Sequence, residues 1–132
     1  MKESRSMTET ILIVDDSPST LMLMKFSLEK KNFTVVKAAS AEEALSIMEK
    51  NFEITCIITD INMPGMNGIE LVQAVRNKNS SRFMPIIVLT NPDNPGKRAE
   101  ARNAGATGWL DKPFKPENLT KVIEKIRKRP LN

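Results

Sequence analysis

The sequence predicts an α/β fold: a doubly wound (βα)5 sandwich with a five-stranded parallel sheet between two layers of helices. Three observations predict it. Five short apolar runs recur along the chain, each followed by a stretch that reads as helix. The runs are apolar nearly throughout and do not alternate, as strands covered on both faces do. Each run breaks off into polar or turn-forming residues, and in such folds ligands sit at those carboxyl ends.

The first run, Ile11-Leu12-Ile13-Val14, ends sharply at Asp15-Asp16-Ser17-Pro18. Ser17 is a helix cap and Pro18 a first helical residue. The helix should reach about Lys31, with Leu21, Met24 and Leu28 inward and the stem of Lys25 along the edge. Phe33 to Ala38 is the second strand. Ser40 and Glu43 then form the pattern of a capping box, and Ala41, Ala44, Leu45 and Met48 mark one face of the second helix.

Ile54 to Thr59, β-branched and apolar, is the third strand and stops at Asp60. Asn62 to Gly68 holds a proline and two glycines and reads as a loop. A helix from Ile69 to Asn77 follows, with Ile69, Val72 and Val75 inward. The fourth strand, Pro85 to Leu89, ends at Thr90. Breakers fill Asn91 to Gly96, and a weak helix from Lys97 to Ala104 offers only Ala101 and Ala104 to a core. Gly108-Trp109-Leu110 is a short fifth strand, followed by Asp111-Lys112-Pro113-Phe114. Pro116 opens the last helix, striped by Leu119, Val122, Ile123 and Ile126, and Pro130 closes it.

A chain of 132 residues fits one domain, expected over residues 10–128 with short tails at 1–9 and 129–132. Hydrophobic residues make up 40% and charged residues 27%, which excludes a fully disordered chain. A single cysteine, Cys56, excludes an internal disulfide framework and a cysteine-rich zinc site. The absence of histidine excludes a Ser-His-Asp triad, a Cys-His pair and histidine metal ligands. No run approaches the ~20 apolar residues of a membrane helix, and Met1 to Thr10 lacks a signal-peptide core; a cytoplasmic protein is expected. Residues 1–90 carry 10 basic and 11 acidic side chains, residues 91–132 carry 10 basic and 5 acidic. The last third therefore holds all the excess positive charge, either as a solvated basic surface or as an attraction for an acidic partner or nucleic acid.

Asp15-Asp16, Asp60, Thr90 and Lys112 each follow a strand and can converge at one sheet edge. Gathered carboxylates repel one another unless a cation joins them, and hard oxygen ligands favour magnesium. A lysine and a hydroxyl beside that metal suit a phosphoryl group, whose charge spreads over three oxygens. Taken singly, each has a plainer reading: turn chemistry for the aspartates, a strand-end hydroxyl for Thr90, a surface lysine for Lys112. Those plainer readings give no reason for phosphoryl-handling residues to stand at four strand ends at once.

Val14-Asp15-Asp16-Ser17, Thr59-Asp60-Ile61-Asn62-Met63-Pro64-Gly65-Met66-Asn67-Gly68, Val88-Leu89-Thr90, Ala104-Gly105-Ala106 and Lys112-Pro113-Phe114 together resemble the receiver domain of two-component response regulators. The likeness spans about residues 10–128. The stretch Gly105 to Leu110 with Lys112-Pro113-Phe114 is similar to the stand-alone chemotaxis (CheY-like) type. The resemblance implies a flavodoxin-like sheet of order 2-1-3-4-5; members of this family are themselves a standard illustration of that order, so it comes with the resemblance and not from the spacing of the strands.

The resemblance also implies roles. Asp60 would be the phosphoacceptor, served by a histidine kinase. Asp15, Asp16, Asp60 and the backbone carbonyl of Asn62 would hold Mg2+. Thr90 and Lys112 would bind the phosphoryl group, with a cis peptide before Pro113. Catalysis would be positioning plus charge neutralisation. Trp109 stands at the switch aromatic's place, and a core tryptophan is the other reading. The α4–β5–α5 face, with Lys97, Arg98, Lys115, Lys121 and Lys125 as its exposed basic members, would meet a downstream protein such as the flagellar motor switch or a kinase. A monomeric signalling switch is expected, catalysing only its own phosphotransfer and dephosphorylation.

Asn91 departs from the alanine or glycine usual beside the phosphoryl site, and Pro92 and Pro95 stiffen the loop after it. Two rivals remain at this point: an aspartate-nucleophile phosphohydrolase of the haloacid-dehalogenase kind, and a receiver-like interaction module that is never phosphorylated. The first needs an aspartate where Asn62 stands, and the intact acidic set speaks against the second. With only Pro130-Leu131-Asn132 after the last helix, no DNA-binding domain is expected, and the first turn lacks a G-x-G-x-x-G for a dinucleotide.

Overall fold

The structure is a computed structural model and describes residues 9–50 and 53–127. Five strands, β1 (Thr10–Val14), β2 (Thr34–Ala38), β3 (Ile54–Asp60), β4 (Ile86–Thr90) and β5 (Gly108–Asp111), pair in parallel in the order 2-1-3-4-5. Between and after them run α1 (Pro18–Glu29), α2 (Ala41–Lys50), α3 (Gly68–Arg76), α4 (Pro95–Ala104) and α5 (Pro116–Arg127). The flavodoxin-like (βα)5 architecture read from the sequence is the one observed. The expected tails, apart from Glu9, and the stop at Pro130 lie outside the described residues; the Glu9 carbonyl accepts from the Thr34 N–H at 2.9 Å.

Side chains alternate across each strand, so one run of apolar residues feeds two cores. Ile11, Ile13, Ile58, Ile87 and Leu89 face Leu21, Met24 and Leu28 of α1 and Leu119 and Ile123 of α5. Leu12, Val14, Ile57, Ile86 and Val88 face the other way, onto Ala41 and Ala44 of α2, Ile69, Val72 and Val75 of α3 and Ala101 of α4. Helices therefore cover both faces, two on one side and three on the other. No helix among the described residues is long and apolar enough to cross a membrane.

Local details depart from the sequence reading. In α1 the buried polar residue is Ser27, whose hydroxyl donates to the Leu23 carbonyl at 2.8 Å; Lys25 turns out to Glu29 at 2.8 Å. Ser40 caps α2 as expected, but the Glu43 carboxylate accepts from the N–H of Ala39, one residue before the cap. A full capping box stands instead at α3, between Asn67 and Glu70. Helix α4 starts at Pro95, two residues early, and Asn94 gives it no side-chain cap. The polar stretch before β4 contains a short 3-10 turn, Asn79–Ser81. Val122 and Ile126 of α5 are only half-buried.

Arg76, at the end of α3, ties the α3–β4 and α4–β5 connections together. Its guanidinium donates to the carbonyls of Gly105 (2.8 and 2.9 Å), Met84 (2.6 Å) and Arg82 (3.1 Å), and to the Thr107 hydroxyl. Gly105 turns the chain at φ +116°, and a Cβ there would press on Arg76. Replacing Arg76 with methionine leaves partly buried carbonyls without donors. We expect a loss of about 2–3 kcal/mol, seen as a melting temperature lower by roughly 7–12 °C; a drop under about 2 °C would show the clasp to be idle.

Candidate functional site

The carboxyl edge of the sheet gathers its polar residues because the strands run parallel and end level. Asp60 is the last residue of β3 and follows Ile58 on the α1/α5 side of the sheet. Asp15 follows β1 on the same side, two residues after Ile13, with its N–H donating to the Ala38 carbonyl. Lys112 follows β5 and is registered by its N–H donating to the Thr90 carbonyl at 2.8 Å. The Lys112–Pro113 peptide is cis. Gly68 opens α3 against the end of β3: its N–H donates to the Ile61 carbonyl at 2.8 Å, and a Cβ there would overlap the Asp60 carbonyl. Only glycine allows the helix to start so close to the end of β3.

The Lys112 ammonium lies 3.2 Å from Asp60 Oδ1 and 3.3 Å from Asp15 Oδ2. Asp15 is fully buried, and its other oxygen accepts from the Ser17 N–H at 2.9 Å. Asp16 is exposed. Oxygens of Asp15, Asp16 and Asp60 all lie within 4.8 Å of one another. Burial pushes the Asp60 carboxyl above its ordinary range, Asp15 adds to the rise, and the Lys112 charge and the Asn62 N–H partly counter it. Burial pulls Lys112 down, but Asp60 and Asp15 outweigh it and leave the ammonium firmly protonated. One lysine against three carboxylates leaves the cluster short of positive charge. The donor set, all hard oxygen and open at Asp16, fits a divalent cation such as magnesium.

A cleft of about 470 Å³ opens above Asp60, walled by Thr20, Leu23, Asn62, Asn91, Lys112, Pro113 and Phe114. The Asn91 side chain is turned to its own loop, accepting from the Asp93 N–H at 2.9 Å. Thr90 is buried at the next strand end and donates its hydroxyl to Asp111 Oδ1 at 2.7 Å. Trp109 is half-buried against the α2–α3–α4 core, with the guanidiniums of Arg98 and Arg102 over its ring at 5.4 and 5.7 Å. Of the basic residues expected on the outer face, Lys115, Lys121 and Lys125 are exposed and Lys97 is partly so, beside Glu100. Arg98 corrects the expectation: it turns inward to Asp111 at 2.9 Å because a carboxylate and an indole face both lie within its reach. Asp111 and the inward turn of Arg98 escape sequence reasoning, which reads Gly68 only as the end of a loop. A carboxylate directly before Lys112 was the available signal for Asp111.

Residues 11–124 match the response regulator receiver domain family. A chemotaxis protein CheY homolog of Campylobacter jejuni is 35% identical over 117 residues, covering 88% of this chain and 90% of its own. The structure of chemotaxis response regulator CheY4 of Vibrio cholerae superposes with a TM-score of 0.85 at 40% identity, over 90% of this chain and 98% of that one. The receiver domain of sensor histidine kinase PA1611 of Pseudomonas aeruginosa, whose structure has a magnesium ion coordinated in the active site cleft, superposes with a TM-score of 0.82 at 26% identity, over 89% and 96% of the two chains.

If the acidic cluster takes magnesium, the ion stabilises the folded state by mass action. At ten times its dissociation constant the gain is about 1.4 kcal/mol, readable as a rise in melting temperature. Asp16→Ala, at an exposed position, should abolish most of that rise with little change in the metal-free melting temperature. An equal rise in both proteins would place the metal elsewhere.

Proposed function

The chain belongs to the response regulator receiver domain family and is CheY-like, and from that premise we propose that Asp60 is the phosphoacceptor of a stand-alone regulator in chemotaxis. The observation that carries this reading is the placement of Asp60: at a strand end, on the floor of an open cleft, 3.2 Å from a protonated lysine and beside two further carboxylates. An oxygen of Asp60 attacks the phosphorus of a phosphohistidine on a partner kinase. The new O–P bond forms as the donor's P–N bond breaks, and the imidazole leaves with the electron pair. Lys112 holds charge against the incoming phosphoryl oxygens and keeps Asp60 aimed into the cleft. Asp15 holds Lys112 from the buried side, and the Asn62 N–H orients the acceptor carboxylate. Magnesium held by Asp15, Asp16, Asp60 and the Asn62 carbonyl would supply the neutralisation that lets an anionic carboxylate meet an anionic phosphoryl group.

Asn62 cannot act as the acid/base that a phosphohydrolase needs two residues after its nucleophile, which favours a phosphorylated switch over that enzyme. The donor reaches Asp60 past Leu23, which with Met22 and Phe26 forms an exposed apolar flank on α1. The phosphorylated state is read by the α4–β5–α5 face. Its exposed lysines at 115, 121 and 125 suit an acidic segment of a target such as the flagellar motor switch or a kinase, with the regulator acting as a cytoplasmic monomer.

Acetyl phosphate with magnesium should add one phosphoryl group to the wild type, located at Asp60 by mass spectrometry, and none to Asp60→Asn; equal labelling of the two proteins would remove the assignment. The activated protein should bind an acidic target peptide with an association rate that falls as salt rises, because surface charges are screened over ~8 Å at physiological ionic strength. Tight, salt-steep binding to duplex DNA regardless of activation would favour a nucleic-acid module instead.

A further inference from the structure

The Thr90 hydroxyl, which the family resemblance gives to the phosphoryl group, already has an acceptor. Thr90 and Asp111 face each other on the last rung of the β4–β5 pairing. Their side chains meet at 2.7 Å, Thr90 donating. Arg98, from the first half of α4, donates to both oxygens of the same carboxylate at 2.9 and 3.1 Å and lies over the Trp109 ring. We propose that Asp111 is a positioning residue that holds the Thr90 hydroxyl away from the phosphoryl site in the resting protein, and that Arg98 ties this hold to α4.

Proton count makes the two acceptors of Thr90 mutually exclusive. A threonine hydroxyl has one proton to donate. It serves Asp111 or a phosphoryl oxygen, never both. Both acceptors are anionic, so activation exchanges one charge-assisted hydrogen bond for another and the two states lie close in free energy. With no acceptor at position 111 Thr90 would be free to turn, and a neutral acceptor would hold it more weakly. The Thr90 hydrogen bond first, and Arg98 after it, hold the Asp111 carboxyl below its ordinary range, so the acceptor stays ionised at neutral pH. When Thr90 departs, Arg98 still partners Asp111, and no buried acceptor is orphaned.

The link to α4 is equally specific. Arg98 reaches Asp111 through Nη2 alone, while its Nε is buried without a partner among the described residues. The attachment is therefore incompletely satisfied, and the guanidinium gains by regrouping once Thr90 no longer shares Oδ1. Trp109, two residues before Asp111 on the same strand, lies under Arg98 and reports that regrouping. It is the only tryptophan in a chain without tyrosine.

The proposal rests on Asp60 as acceptor, and its test separates the two. Beryllofluoride with magnesium, a mimic of the acyl phosphate, is titrated calorimetrically into the wild type, Asp111→Val, Asp111→Asn, Thr90→Ala and Thr90→Ala/Asp111→Val, with Trp109 emission followed alongside. Removing the charged acceptor should tighten binding about tenfold in Asp111→Val. The gain should be smaller, roughly threefold, in the isosteric Asp111→Asn, whose amide oxygen still accepts more weakly. In the Thr90→Ala background Asp111→Val should change affinity less than about twofold. Unchanged or weaker binding in the folded Asp111 variants overturns the hold. So does an equal gain with and without the Thr90 hydroxyl, which would reduce Asp111 to a repelling charge. A wild type that fails to bind the mimic, or binds it as well after Asp60→Asn, removes the acceptor assignment and the proposal with it.

Discussion

Two carboxylates sit almost wholly out of water at one end of the sheet, and the Lys112 ammonium reaches both. Buried charge is tolerated only when paired, and removing one partner of such a pair strands the other. Much of the local architecture serves this contact. The Lys112 N–H is fixed to the Thr90 carbonyl, Asp15 is braced from behind by the Ser17 N–H, and α3 starts at a glycine because the backbone beside Asp60 leaves no room for a Cβ. The pairing is incomplete by its stoichiometry: one lysine cannot neutralise three aspartates, and the residual negative charge faces an open cleft.

Strand alternation divides this edge into two compartments. Asp15, Asp60 and Lys112 continue the residues that face α1 and α5, whereas Thr90, Trp109 and Asp111 continue those that face α4. The acidic cluster with Lys112 thus lies on the α1/α5 side of the sheet, and Thr90 with Asp111 on the side of α4. The Lys112 N–H to Thr90 carbonyl bond and the Thr90 side chain join the two sides within one rung of the sheet. A change at Asp60 need travel only across adjacent strand ends to reach α4.

The strands were legible because burial on both faces makes them continuous apolar runs, and their polar ends fell at one edge once the sheet was known to be parallel. Asp15, Asp16, Asp60, Thr90 and Lys112 were placed at that edge by this alone, although the Thr90 side chain turns to Asp111 on the other side of the sheet. What escaped were contacts made by long side chains between distant segments. Arg76 and Arg98 look like surface residues on their helices, because nothing in local periodicity says that Gly105, Met84 or Asp111 will lie within reach of a guanidinium. The capping box at Asn67 and Glu70 was hidden for another reason: the Pro-Gly-x-x-Gly stretch reads as loop up to Gly68, and a glycine as first helical residue is explained only by the close approach to β3.

Helix α4 shows how those unseen contacts shape the switch. It buries one residue fully, Ala101, and an alanine contributes far less apolar area than the leucines and isoleucines that anchor α1 and α5. Its placement therefore depends on polar ties at its two ends. The C-terminal end is fixed through Gly105, whose carbonyl takes two donations from Arg76 and whose positive φ turns the chain into β5. The N-terminal half has no side-chain cap and is held to the sheet by Arg98 on Asp111. The helix is thus clasped by several donors at one end and by a single shared carboxylate at the other, and the more weakly held end is the one beside Thr90. Stronger apolar anchoring would have made α4 as fixed as α5 and left the strand end at Thr90 without a weakly anchored neighbour.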